Sequence, residues 1–489
     1  MSNPQDNDVP ALRYRQPKGV EQYGIEAIPD DKKTVRWWDV SFMIINFLIN
    51  PGMILVAGGA VAAGLSFWAA VATVLAGIII AFGAYSIMAT VGVDYGLPGQ
   101  VGTRITFGLR GAQWIPSALH VISSVYWFAF QTVAGALGII AVLRALTGHT
   151  LNFALVSVIF AIVQAAVALV GYDSVKVLAR IAFPTKIILT VVFITVLMTH
   201  NDPNYAPGAV LGLDLHIPWQ WSVIALWLNS VVSAWLSMIT NASDFCRYSR
   251  SRGDMWMGTM AAAVLGALIT AFVGCYAAVA SGGNDNAFDV IARITDNPLL
   301  LGLVLLYIVL DNWTINVLNL YTAGLALVNM VRRLGRFWAT VGLSLIGIAL
   351  SLLPELVNGF TGFMTVMGNL FAPVAGVLIA DYLFCKRRRI EVAELFAKKG
   401  RYWYWSGFNW LAVGWTIAGF LLYSVLPDAA VPSVTCLVTV GAGYLLTASL
   451  LAKRSPRLRT ANAPVTTRHD LDRPTAAPAS SEIRTGAES

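Results

Sequence analysis

Leu310-Asp311-Asn312-Trp313-Thr314-Ile315-Asn316-Val317-Leu318-Asn319 sets one carboxylate, three amides and a hydroxyl inside an apolar run from about 298 to 330. A helix needs about 20 apolar residues to cross a bilayer core, so a run of this length is a membrane span. A charge at the bilayer centre costs roughly 2.5–3.5 kcal/mol on insertion scales, which is why such residues mark substrate or ion pathways. The stretch therefore points to a helical membrane fold with a working site at membrane depth. At about 100° per residue, Asn312, Asn316 and Asn319 share one stripe with Trp313 at its edge, while Asp311, Thr314 and Ile315 fall on the other side. One face can meet a substrate and the other an ion; the plainer reading of Asp311 is a carboxylate paired with a polar neighbour.

Outward from this run, the 489 residues are 57% hydrophobic and only 12% charged, with a mean hydropathy of +0.67. That is too apolar for a soluble globule of this length. Twelve apolar runs occur, near 39–61, 66–92, 113–141, 151–171, 178–199, 219–242, 255–280, 298–330, 336–353, 356–384, 402–426 and 430–452. The expected fold class is all-α, a polytopic membrane protein with twelve transmembrane helices. Residues 1–36 read as a cytoplasmic N-terminal tail, 37–453 as one transporter domain, and 454–489 as a disordered cytoplasmic tail rich in Pro, Ala, Thr, Ser and Arg. No early apolar core interrupts the polar N-terminus, so no cleavable signal peptide is expected and the first span serves as the anchor.

With the N-terminus inside, only Arg144 and Arg293 of the 33 Lys and Arg fall outside. The positive-inside bias thus places both termini in the cytoplasm, in a bacterial-type plasma (inner) membrane. The net charge of +7 follows from this topology, and Lys386-Arg387-Arg388-Arg389 reads as a cytoplasmic flank; nucleic acid is not an expected partner. No G-x-x-x-x-G-K-[ST] loop is present, which argues against an ATP-driven pump. Cys246, Cys275, Cys385 and Cys436 lack metal-ligand spacing, and no His/Cys/Asp cluster suggests an intramembrane enzyme. An asymmetric twelve-span chain also disfavours a channel. What remains is a secondary transporter, expected to be a monomer that uses no cofactor beyond its coupling ion.

Secondary transporters are often inverted repeats whose paired helices break near the midplane. Asn50-Pro51-Gly52 interrupts the first span, where freed carbonyls can face a cation; the alternative is a simple proline kink. Five spans later, the sixth carries Asn229, Ser230, Ser233, Ser237 and Asn241 around Trp235 without Gly or Pro, so a break there is only a guess. The third and eighth spans make a better pair. Trp127 and Gln131 lie at i,i+4, Trp313 and Asn316 at i,i+3, so each half offers an indole beside an amide. An aromatic plate next to a group that both donates and accepts suits a planar heterocycle with N–H and C=O groups. For each residue alone, gluing helices together is an equal alternative. His120 reads as a packing histidine, and Lys186, near the start of the fifth run, as a snorkelling one. Asp39, Asp244 and Asp381 sit at helix ends, where pairing with Arg or Lys is expected.

Four ordered motifs resemble the nucleobase cation symporter family. Ala372-Pro373-Val374-Ala375-Gly376 through Asp381-Tyr382-Leu383, followed by Lys386-Arg387-Arg388-Arg389, looks like the end of its tenth helix. Gly96-Leu97-Pro98 through Arg110-Gly111, Asp244-Phe245-Cys246-Arg247-Tyr248 and Trp313-Thr314-Ile315-Asn316 resemble its second loop, sixth helix and eighth helix. The resemblance runs from about residue 36 to 450. It implies a leucine-transporter-type fold of two inverted five-helix repeats, about 39–199 and 219–384, plus two extra helices at about 402–452. It also implies alternating-access import of a nucleobase such as cytosine, a purine or uracil with H+ or Na+. Hydantoin, allantoin or a vitamin-like heterocycle is the alternative, and an amino acid on the same fold a more distant one. Trp127, Gln131 and Trp235 match the residues that hold the ring in hydantoin-transporting members. Asn316 matches the eighth-helix Asn of cytosine permeases, while a second Asn of hydantoin members is here Leu320.

The ion site departs from that pattern. Sodium-coupled members use two adjacent eighth-helix hydroxyls, here Thr314 and Ile315, and a backbone carbonyl at the position of Asp311. A carboxylate where the cation would lie implies proton coupling through Asp311. The competing expectation is Na+ held by Asp311, Thr314 and first-helix carbonyls around Phe47 and Asn50.

Overall fold

The computed structural model describes residues 23–212, 220–284, 286–357 and 360–465. Helices dominate, and the only bridges outside them among these residues are the isolated pairs Val35–Ser249 and Trp405–Phe408. Nine helices are long and apolar enough to cross a membrane, and the bent pair Trp37–Leu48 and Pro51–Ala62 makes a tenth among the described residues. The shorter apolar helices Trp221–Leu236 and Trp410–Val425 stand where the sequence puts the sixth and eleventh spans, so the arrangement agrees with twelve.

The first span is broken rather than kinked. Its halves meet at 57°, and Asn50, in extended backbone, serves both ends of the break. The Asn50 carboxamide oxygen accepts from Met53 N at 3.0 Å, and its Nδ2 donates to the Phe47 carbonyl at 2.7 Å. Pro51 then starts the second half at a position where no N–H is needed. An Asn N-cap followed by Pro is a helix-start signal, here placed in mid-membrane.

The sixth span is interrupted as well, although no Gly or Pro marks it. Its helix ends at Leu236 and resumes at Ala242–Cys246. Between them, short turns link Met238 N to Trp235 O and Asn241 N to Met238 O, at 3.1 and 3.2 Å. The reason lies outside the segment. Gly99 packs so closely on it that an added Cβ would collide with the Thr240 carbonyl, and Gly99 N donates to the Asp244 carboxylate at 2.7 Å. Asp244 thus caps the loop between the second and third spans. Gly99→Ala should cost about 1–3 kcal/mol by overpacking. A lowered melting temperature in detergent, with reduced uptake, is the expected readout.

Five-span spacing also governs packing. The third span, Pro116–Thr147, runs along the eighth, Pro298–Met330, and the second, Phe67–Tyr95, along the seventh, Arg252–Ala280. Small residues permit the close approach: Gly135 leaves room for Asn312, and Gly138 for Ile308. Asp39 pairs with Arg180 at 2.6 Å and Asp381 with Lys386 at 3.1 Å.

Two terminal expectations change. Residues 23–36 dock instead of trailing as a tail: Ile28 N donates to Gly96 O at 3.0 Å, and the buried Arg247 donates to Gly24 O at 2.9 Å. The C-terminal tail, expected to be disordered from 454, forms a helix over Pro456–Asn462. Leu458 and Ala461 are buried there, and Asn462 Oδ1 accepts from Lys386 Nζ at 2.5 Å. Composition hides this because two apolar side chains suffice when the rest of the protein supplies the surface. The expectations for residues 1–22 and 466–489 lie outside the described residues.

Candidate functional site

Both helix breaks open on one central cavity of about 70 Å³, bounded by the first, third, sixth and eighth spans. Irregular backbone is tolerated at membrane depth where it lines such a space. Trp127, Gln131 and Trp235 line it together, as do Phe47 and Asn50. Trp235 is wedged among aromatics, with ring centroids 5.8 Å from Phe47 and 5.5 Å from Phe82. Trp127 stands edge-on to Phe130 and Phe363, each at 5.8 Å. These contacts fix the indoles before any ligand arrives.

Four buried polar atoms with no partner border the cavity. Gln131 Nε2, Trp235 Nε1, His120 Nδ1 and Asn241 Oδ1 are all buried without a hydrogen bond to another protein group, and all four residues line the cavity. A buried donor or acceptor left unmade costs about 1–3 kcal/mol, so four around one space indicate a site that a polar guest completes. His120 Nε2 lies 3.2 Å from Ser124 Oγ.

The structure does not bring Asn316 to this cavity. Its Nδ2 donates to Gln164 Oε1 at 2.6 Å, and to Phe128 O and Thr132 Oγ1 at 3.1 Å each, tying the eighth span to the third and fourth. The eighth-span residues that do face the cavity are Ile315, Leu318, Asn319 and Thr322, and Trp313 is not among them. Helical periodicity placed the amide stripe correctly, but a stripe of three amides spans two environments. Asn319 looks into the cavity while Asn316, one turn earlier, is consumed by packing.

A second polar site lies beside the first. Lys186 Nζ donates to Asp311 Oδ1 at 2.5 Å and to the Asn46 carbonyl at 2.6 Å, with both side chains at most 1% exposed. Snorkelling is thereby overturned. The fifth helix begins at Tyr172, earlier than its apolar run, so Lys186 sits about four turns in, roughly 21 Å along the axis and beyond reach of the interface. Two opposite charges on apolar spans were the available signal. Thr314 Oγ1 donates to the Asp311 carbonyl at 2.8 Å. The Phe47 carbonyl is taken by Asn50, so the first-helix carbonyl that reaches Asp311's neighbourhood belongs to Asn46. Among the described residues no group of three or more His, Cys, Asp or Glu could hold a metal ion.

The sequence profile described as "Permease for cytosine/purines, uracil, thiamine, allantoin" matches residues 27–447. The chain belongs to this permease family. It is 25% identical to the hydantoin permease of Microbacterium maritypicum over 77% of this chain and 78% of that one. Identity to the cytosine permease of Escherichia coli (strain K12) is 29%, over 68% of this chain and 74% of the relative. A solved nucleobase-cation-symport-1 family transporter, in a closed conformation with bromovinylhydantoin bound, matches with a TM-score of 0.78 at 22% identity. That match covers 89% of this chain and 96% of the other. The permease is thus a multi-pass membrane transporter and not an enzyme. Its fold is of the leucine-transporter type, with which the breaks in the first and sixth spans agree.

Proposed function

We propose that this permease is a symporter that imports a neutral planar heterocycle, a nucleobase such as cytosine, a purine or uracil, on the inward flow of protons. The ring sits between Trp127 and Trp235, with the unpartnered donors Gln131 Nε2 and Trp235 Nε1 turned to its carbonyl groups. These two free donors beside two fixed indoles support the reading most directly. A hydantoin or allantoin is the second reading, favoured by the hydantoin and allantoin permeases that match 77% and 80% of this chain. Competition of bases, hydantoins and amino acids for radiolabelled uptake separates these classes. Competition by amino acids alone would overturn both.

Coupling to protons is supported by Lys186, whose ammonium lies between Asp311 and the Asn46 carbonyl, where a coupling cation would need the same oxygens. A tethered cation already balances the carboxylate, and a Na+ ion would have to displace it. Protonation of Asp311 neutralises its carboxylate, breaks the ion pair and leaves one positive charge on Lys186, and loss of that proton re-forms the pair, which gives the transporter two states. Proteoliposomes of the purified monomer should concentrate substrate under an inward pH gradient without Na+. Full dependence on a Na+ gradient, with no response to pH, is the outcome that refutes proton coupling. In cells the permease is placed in the plasma membrane with both termini cytoplasmic, which cysteine labelling from either side would check.

A further inference from the structure

Two arginines meet at the end of the eighth span with no acid to balance them. Arg104, in the loop between the second and third spans, is fully buried. Arg332 opens the short turn Arg332–Leu334 between the eighth and ninth spans and is half-buried. Both guanidinium groups lie over the ring of Phe396, 4.9 and 5.6 Å from its centroid. Arg104 also donates to the Leu395 carbonyl at 3.3 Å and to Asn329 Oδ1, so the second loop, the eighth span and the loop after the tenth span join at this residue. Among the described residues no carboxylate pairs with either arginine. The acids of the loop that carries Phe396 are already taken: Arg401 binds Glu391 through Nη1 at 2.9 Å and Glu394 through its backbone N–H at 2.5 Å. Burial and the adjacent Arg332 charge together hold the Arg104 guanidinium well below its ordinary range. Arg104 Nε and Arg332 Nε and Nη2 are buried without a hydrogen bond to another protein group. A ring face offsets part of the cost of burying a cation, but it supplies no counter-charge.

We propose that Arg332, backed by Arg104, binds the phosphate of an anionic phospholipid. The rim of the site is apolar: Val331, Leu334 and Trp338 are 43, 37 and 50% exposed. Exposed apolar side chains on a membrane span face lipid, and Trp is favoured at the level of the headgroups. Arg332 stands between Val331 and Leu334, and its flexible stem lets the two unpartnered nitrogens turn outward to phosphate oxygens, which a guanidinium holds in paired charge-assisted bonds. Arg333 beside it is exposed and adds to the charge at the surface. Two unbalanced positive charges call for a headgroup that is negative overall, not a zwitterionic one. In the topology proposed above this is the cytoplasmic leaflet, where basic pockets between spans take anionic headgroups. The site stands apart from the central cavity and does not depend on which substrate or ion is carried.

The test is native mass spectrometry of the purified full-length permease, released from micelles holding equal amounts of phosphatidylglycerol and phosphatidylcholine. The adduct with one phosphatidylglycerol should exceed that with one phosphatidylcholine by about fivefold, the contribution of one arginine near the headgroups. Arg332→Gln should bring the ratio to within about twofold of one, while Arg332→Lys, which keeps the charge, should retain part of the preference. Arg459→Gln, which removes an exposed arginine from the C-terminal helix, should leave the ratio unchanged. Equal adducts of the unsubstituted protein overturn the site without needing any variant to fold. So does a preference that survives Arg332→Gln, and so does one that Arg459→Gln reduces equally, which would trace it to the general charge of that face. Inorganic phosphate supplies the third arm. Thermal stabilisation by phosphate that Arg332→Gln abolishes, with no preference for phosphatidylglycerol, would assign the two arginines to a soluble anion and overturn the lipid.

Discussion

Lys186→Met should abolish concentrative uptake and destabilise the protein by about 3–5 kcal/mol, because it strands the Asp311 carboxylate in a dry interior. Asp311→Leu should do the same by stranding the ammonium. The informative experiment is the combination. Replacing both charges with apolar residues of similar volume is often neutral or stabilising, since the desolvation cost of two ions disappears with their attraction. The double variant Lys186→Met/Asp311→Leu is therefore expected to melt near the unsubstituted protein and still to bind substrate at the central cavity. It should nevertheless fail to concentrate substrate under a pH gradient, leaving only downhill exchange. Recovery of both stability and gradient-driven uptake would mean that the pair is a packing device and that coupling resides elsewhere. Melting curves in detergent and proteoliposome uptake with and without a pH gradient give the two readouts independently.

Trp235→Ala is expected to raise the substrate dissociation constant by about one to three orders of magnitude. Stacking a base on an aromatic ring is worth about 1–3 kcal/mol, and a lost hydrogen bond from the indole N–H adds about 0.5–1.5 kcal/mol, with 1.4 kcal/mol per tenfold change. That variant also removes the ring packed against Phe47 and Phe82, so part of its effect would be structural. Trp235→Phe separates the contributions: it keeps an aromatic face, loses the N–H, and should weaken binding only about three- to tenfold. Gln131→Leu, which deletes the second unpartnered donor, should cost a similar factor. If Trp235→Phe binds as well as the unsubstituted protein and Gln131→Leu does too, the ring is not held where the two free donors point. Isothermal titration with the best-competing heterocycle measures all three.

Trp127 and Gln131 were legible because helical spacing alone puts them on one face, and that face turned out to border the cavity. Asn50-Pro51 was legible because an N-cap and a first-turn proline are local chemistry, independent of what surrounds them. The break in the sixth span was not: Ser237 to Asn241 contain no helix breaker, and the turn there is imposed by Gly99 approaching from another part of the chain. Asn316 and Asn319 show the same limit. Spacing puts both on one stripe, yet only the position of Gln164 on the fourth span decides that Asn316 is spent on packing.

Composition, span lengths and charge placement by themselves determined that this is a many-spanning helical transporter with a polar working region on its eighth span. These are properties of single segments, set by the cost of moving backbone and side chains into hydrocarbon. The pairing of Lys186 with Asp311, 125 residues apart, was decided only when the fifth and eighth helices packed together. The same holds for the gathering of His120 and Asn241 around one cavity. The run at 310–319 announces that a charge is buried; which partner neutralises it depends on distances between helices, and those exist only in the tertiary structure.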